Sequence, residues 1–278
     1  NTAITGISGT IAGGMSNTVA ASYGTVSGGL NNVVNTNAQL SVISGGRDNF
    51  VSDFFAAIGG GWRNTVGGAY AFIGGGRLNT VHSATATVIG GQNNIIKDDS
   101  MYTIISGGRD NTASGTSVTL SGGYSNALNG QYSVISGGMQ NIVNNSDYST
   151  VGGGRNNVAS ESYSTIGGGG DNFLHGTYSV ISGGWDNSAQ LPFSTVSGGA
   201  SNTCNGYSGS VGGGSQNLCD DHYGSICGGF KNSVLASSAV VSGGFMNVAA
   251  GELAAVAGGK NNRASGEYSG IHGGYLNT

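Results

Sequence analysis

The stretch Tyr132-Ser133-Val134-Ile135-Ser136-Gly137-Gly138-Met139-Gln140-Asn141 decides the fold, because its closing string, Gly-Gly-x-x-Asn, occurs eighteen times in 278 residues. The closing asparagines are Asn17, Asn32, Asn49, Asn64, Asn79, Asn94, Asn111, Asn126, Asn141, Asn157, Asn172, Asn187, Asn202, Asn217, Asn232, Asn247, Asn262 and Asn277. Fourteen of the seventeen intervals are 15 residues, two are 17 and one is 16. Asn1, 16 residues before Asn17, reads as one more anchor. A fixed period of this kind marks a repeat architecture, in which no unit can bury its apolar face alone and stacking makes the core continuous.

Positions are counted here from each asparagine. Six residues before it stands Ile, Val or Leu in all eighteen units, from Ile11 to Ile271; two residues after it stands an apolar residue, from Val19 to Ala264. Position −8 is as a rule Ser, Ala or Gly. Side chains alternate about a strand with period two, so −8 and −6 share an inward face and +2 points inward from a second side. These columns predict an all-β chain: a parallel β-solenoid, or β-roll, of about 18 coils with a 15-residue period, one elongated domain over residues 1–278. At ~4.8 Å per coil, eighteen coils make a rod of roughly 85 Å. The paired glycines at −4 and −3 supply a sharp corner, since glycine reaches positive φ at no steric cost. The asparagines from Asn32 to Asn262 are expected to form an inward ladder, each amide bonding its neighbours above and below; the alternative is that they serve only to tolerate a left-handed turn. The irregular intervals place bulged loops at residues 35–40, 97–102 and 144–148, at a second corner. The chain starts and stops at equivalent points of the repeat without a cap, which reads as a segment of a longer protein.

Composition narrows the class. There are 56 glycines, one proline, 37% apolar and 8% charged residues, and a net charge of −4. Collagen needs glycine in every third place with abundant proline, and disorder needs few apolar residues with high net charge; neither holds. No run of 18 apolar residues offers a membrane span. Weak acidity argues against nucleic acid as a partner. Cys204, Cys219 and Cys227 are too few for a disulfide framework. Cys204 and Cys219 occupy +2 in adjacent coils, which fits either a disulfide or small apolar filling.

No catalytic, cofactor-binding or metal-ligating constellation stands out, and the chain does not read as an enzyme. His82 and His175 share a column six coils apart, and His222 lies beside Asp220 and Asp221 at a corner. The Gly-Gly-x-Asp-Asn strings at 45–49, 107–111 and 183–187 lack the regular aspartate ladder that calcium requires. Surfaces are more informative. Positions −2 and −1 carry Trp62, Arg63, Arg77, Tyr124, Arg155, Trp185, Phe230 and Phe245, the residue types that anchor interfaces. Position −9 is Tyr or Phe in eleven of eighteen coils, a stripe suited to glycans or to packing between subunits. Outward positions −7 and −5 carry no Asp, Glu, Lys or Arg. A face of this kind is suited to burial against another sheet, so self-association is expected, most simply as a trimer. Seven of the nine bases lie at −2 and −1, and nine of the thirteen acids lie between +3 and +6, so copies side by side are expected to set basic edge against acidic corner.

Stretches such as Tyr132-Ser133-Val134-Ile135-Ser136-Gly137-Gly138 and Gly266-Glu267-Tyr268-Ser269 resemble the head repeats of trimeric autotransporter adhesins and related phage and surface-fibre β-solenoids. The repeat here is one residue longer, with an added glycine and a near-constant asparagine. The resemblance implies a left-handed roll, a trimer, and attachment to host or matrix surfaces. The function expected is therefore a structural and adhesive shaft of an extracellular, cell-surface or virion fibre. Its partners would be itself and a host surface, matrix or glycan, with no cofactor and no membrane insertion. Two alternatives stand beside it. An ice-binding solenoid would want an unbroken outward threonine row, whereas Thr10, Thr25, Thr87, Thr119, Thr150, Thr165 and Thr195 leave gaps at −7. A glycan-binding or glycan-cleaving solenoid would, if cleaving, want clustered carboxylates on one face.

Overall fold

Two strand positions per repeat, −7/−6 and +1/+2, are those the alternation marks as half-buried, and both form strands in the computed structural model, which describes residues 3–278. The proposed anchor at Asn1 lies outside the described residues. The chain divides into two compact units, one ending at Gln140 and the other covering Asn141–Thr278. Each unit is a parallel β-solenoid with a period of about 15 residues, and there are about 17 turns in all, with no helix among the described residues.

In the first unit, Thr25-Val26 pairs with Val42-Ile43, which pairs with Ala57-Ile58. On the other side of the same coils, Val33-Val34 pairs with Phe50-Val51, which pairs with Thr65-Val66. The second unit repeats the pattern, with Thr150-Val151 on Thr165-Ile166 and Val158-Ala159 on Phe173-Leu174. All of these pairings are parallel, so each residue stacks on its counterpart in the next coil. The long intervals do not break this: Val26 still faces Ile43 and Thr87 still faces Ile104, because the extra residues are taken up in the loops at 35–40 and 97–102.

A third side, invisible in the alternation, is formed by position −2. Single parallel bridges join Met15, Leu30, Arg47 and Trp62 in turn, and likewise Arg155, Gly170, Trp185 and Ala200. A one-residue bridge has no alternation to betray it, and its column holds almost every residue type.

The core is thin and uniform. Ile43, Ile58 and Ile73 at −6, with Val51, Val66 and Val81 at +2, are fully buried. Each such side chain removed from water contributes about 1.5–3 kcal/mol. Three positions per coil take left-handed backbone: −9, −3 and −1. Only the second glycine of each pair is required there. Gly29 has φ +93°, and a Cβ on it would lie 2.1 Å from the Gly46 carbonyl oxygen and 2.7 Å from the Asn32 amide nitrogen, whereas a Cβ on Gly28 would meet nothing within 4 Å. Positions −1 and −9 are left-handed without glycine, as at Asp48 (φ 56°), Arg63 (φ 54°) and Tyr163 (φ 60°). Such a conformation costs an ordinary residue about 1–2 kcal/mol. It is offset by a bond in the reverse direction: Arg63 N–H donates back to Arg47 O and Tyr163 N–H back to Asp147 O, each at 2.9 Å, while Trp62 N–H donates forward to Gly76 O.

Candidate functional site

From Asn17 to Asn262 the asparagine column is fully buried. In the first unit, Asn32 Nδ2 donates to Gly28 O (3.0 Å) in its own coil and to Gly46 O (2.9 Å) in the next, while Asn17 Oδ1 accepts from Asn32 N–H (3.0 Å). Those two short bonds use both amide protons, and a longer contact to Asn17 Oδ1 (3.2 Å) completes the set. The same pattern runs through Asn49, Asn64, Asn94, Asn111 and Asn126, and through Asn157, Asn172, Asn187, Asn217 and Asn262 in the second unit. Asn79, Asn202 and Asn247 keep the backbone bond and both glycine bonds. Asn141 receives from Asn157 and donates to Gly154 O, and Asn232 behaves as its neighbours do. The left-handed residue is the one before each asparagine, never the asparagine itself.

The second unit holds a further buried polar column, bonded in two pairs. Ser149, Ser164, Ser179 and Ser194, at −8, are fully buried. Ser164 N–H donates to Ser149 Oγ (3.2 Å), and Ser194 donates to Ser179 Oγ from both its N–H (3.0 Å) and its hydroxyl (3.1 Å). Small size was the visible property at −8; the hydroxyl also acts there without like neighbours, as in the first unit, where Ser41 Oγ donates to Asp53 O and accepts from Ala56 N–H, each at 2.9 Å.

Directly outside these serines, at −9, Tyr148, Tyr163, Tyr178 and Phe193 stack nearly parallel, with ring centroids 5.0, 4.6 and 5.3 Å apart. The rings are about half exposed, but their faces cover one another, so only edges and hydroxyls point outward. A sugar that packs on a ring face has no face to use between neighbours in this run.

In each unit the residues at −2 and −1 are brought together along an edge, and they engage one another. Arg63 and Arg77 both lie over the Trp62 ring, with the guanidinium carbons 4.8 and 4.5 Å from its centroid. Its indole N–H donates to Asp48 Oδ2 at 3.1 Å, the oxygen that Arg47 Nε also reaches at 3.1 Å. The Asn31 amide, the Trp62 indole and Arg47 together hold the Asp48 carboxyl below its usual range. Arg109 lies over Tyr124 (4.5 Å) and binds Asp110 (3.1 Å). In the second unit Arg155 is 3.6 Å from Asp171 and lies over Trp185, whose indole reaches it by lying on Gly170. Phe230 and Phe245 stack on each other, with Lys231 and Lys260 over their rings. Several of the edge's arginines therefore have carboxylates of their own chain.

The −7/−5 face is different. In both units its outward side chains are small, hydroxylated or apolar, His272 excepted, and Phe72, Ile89 and Ile104 stand more than a third exposed. Cys227 belongs to this face and is exposed. Cys204 and Cys219 are fully buried, free and in register on adjacent strands. The Cys204 sulfur and burial together push the Cys219 thiol up. Among the described residues no group of three His, Cys, Asp or Glu side chains is placed to hold a metal ion.

No protein-family profile matches the chain, and no curated protein matches it.

Proposed function

We propose that the chain is a structural and adhesive shaft of an extracellular or virion fibre, whose copies associate through the uncharged −7/−5 face. The observation that carries this reading is the absence of Asp, Glu, Lys and Arg from every outward position of that face in both units, although it displays Phe72, Ile89 and Ile104 to solvent. Continuous apolar and hydroxylated surface without charge is uncommon on a monomer. The occupant best matched to it is a second copy of this chain. Both copies repeat at one strand spacing, so rows of Thr, Ser and Gly meet equivalent rows throughout, and no partner of different period could stay in step. The charged edges then flank the contact as a rim. The association is proposed to close as a homo-oligomer, most simply a trimer.

Cys227 is a native reporter of this face. Its reaction with a small thiol reagent should slow as protein concentration rises, and a bulky maleimide placed on it should lower the sedimentation coefficient. A protein that sediments as an oligomer while Cys227 reacts at an unchanged rate associates through some other surface.

A further inference from the structure

We infer that the glycine-corner edge of the first unit is a binding stripe for a linear 1,4-linked acidic polysaccharide, a polyuronate. This names the ligand class for the adhesive part of the reading above and does not depend on the self-association part, which uses a different face.

Within the bridge column of the first unit, after Met15 and Leu30 and before Met139, stand Arg47, Trp62, Arg77, Gln92, Arg109 and Tyr124, each in parallel register with the next. A guanidinium thus stands in every second coil, ~10 Å from its like, with a planar hydrogen-bonding side chain between. The corresponding column of the second unit, from Arg155 to Tyr275, has no such alternation. The cations are held in place before any ligand arrives. Arg47 and Arg109 each contact the following aspartate through Nε at 3.1 Å, contacts that do not use their terminal Nη groups. Those aspartates are themselves pinned, Asp48 by Asn31 and Trp62, Asp110 by Asn93 at 2.8 Å. Arg77 rests on Trp62 and has no carboxylate partner among the described residues. Prior ordering of this kind removes part of the entropy cost of binding. The edge carries Arg47, Arg63, Arg77 and Arg109 against Asp48 and Asp110, while the unit's other acids, Asp53, Asp98 and Asp99, lie at the opposite corner.

The spacing selects the ligand. A guanidinium pairs with a carboxylate through two parallel hydrogen bonds. A 1,4-linked pyranose chain advances about one coil per sugar, and in its extended twofold form it presents the carboxylates of alternate sugars on one side. That is one carboxylate for every second coil, opposite Arg47, Arg77 and Arg109. Hydroxyls of the intervening sugars fall opposite Gln92 and Tyr124. Single-stranded nucleic acid fits less well, because its bases seek open aromatic faces and the Trp62 ring is already engaged by the guanidinium groups of Arg63 and Arg77.

The test is a titration at low ionic strength with a β-1,4-mannuronate oligomer long enough to span the six coils. Calorimetry and tryptophan fluorescence follow binding, and the same samples are sedimented. A neutral 1,4-glucan and a single-stranded oligonucleotide of matched length serve as comparisons. The mannuronate should bind, weaken with salt, and lose about tenfold or more in affinity with Arg77→Gln or with Arg47→Gln/Arg109→Gln. Arg263→Gln, on a +1/+2 strand of the second unit, should change nothing. No binding, equal binding of the oligonucleotide, or arginine variants that bind like the parent would each overturn the inference. So would arginine variants that alter sedimentation but not the titration, since the edge would then belong to a contact between copies. Intact mannuronate binding by a chain that sediments as a monomer would leave this inference standing and remove only the self-association.

Discussion

The side-chain amide of Asn64 donates at 3.0 Å to the carbonyl of Gly76, one coil further on. That bond ties the corner of one coil to the corner of the next. The corner that accepts it has no room for a side chain at Gly76: a Cβ there would lie 2.7 Å from the Asn79 amide and 2.2 Å from the Gly91 carbonyl oxygen. Glycine at −3 and asparagine at 0 are therefore one device, repeated.

Asn64→Ala would orphan the Asn79 N–H and leave Gly60 O without its amide donor, while Gly76 O would keep only the Trp62 N–H. A buried polar group left unpaired costs about 1–3 kcal/mol, so the variant should lose about 3 kcal/mol in denaturant unfolding. A change below about 0.5 kcal/mol, the level of an ordinary surface substitution, would mean that the ladder is incidental.

The two glycines of a pair should respond differently. Gly28→Ala adds a methyl group to open space, whereas Gly29→Ala drives Cβ into the Gly46 carbonyl at φ +93°. The first should lie within about 1 kcal/mol of the parent. The second should prevent that corner from closing, seen as loss of cooperative unfolding or of soluble protein.

Thiol reactivity should separate the cysteines. Cys227 is exposed, while Cys204 and Cys219 are fully buried, with the Cys219 thiolate disfavoured. In dilute native protein a maleimide should modify Cys227 alone, and the other two should react only after unfolding. Prompt modification of all three would mean that the +2 column opens readily.

The stacked tyrosines contribute to stability through their faces. Tyr163 touches rings on both sides, at 5.0 and 4.6 Å. Tyr163→Ala should therefore cost about 1–2 kcal/mol from the two lost ring contacts and weaken the near-ultraviolet circular dichroism. An unchanged stability would assign the stripe to an external ligand or partner.

The aliphatic columns were legible because a strand's inward position admits few residue types. Ile43 above Ile58, and Val51 above Val66, repeat chemistry as well as spacing. The polar columns were only half legible. Asparagine was marked by near-invariance, whereas the Ser149–Ser194 run was hidden among alanines and glycines of similar size. The left-handed corner at −1 was marked only in part, by Asn or Asp in eight of eighteen coils, and the one at −9 not at all; Arg63 and Tyr163 are not residues that favour that backbone. Stacking imposes it there through the reverse bonds to Arg47 O and Asp147 O. The edge was legible as a group of large side chains, but not as a set already joined, because Trp62 meets Arg77 only through the fold. Position in a column says which residues become neighbours; it does not say whether they then satisfy each other or a partner.

The proposed association face is tested most directly by sedimentation equilibrium of the native chain beside Val180→Lys/Thr195→Lys, two charges placed in adjacent coils of the −7 column. Both side chains point outward from partly exposed strand positions, so the fold should accept them, and far-ultraviolet circular dichroism should be unchanged. The native chain should sediment as an oligomer at micromolar concentration and the double variant as a monomer, because burying unpaired ammonium groups between two sheets is prohibitive. A native chain that remains monomeric, or a double variant that associates as the native chain does, would contradict it.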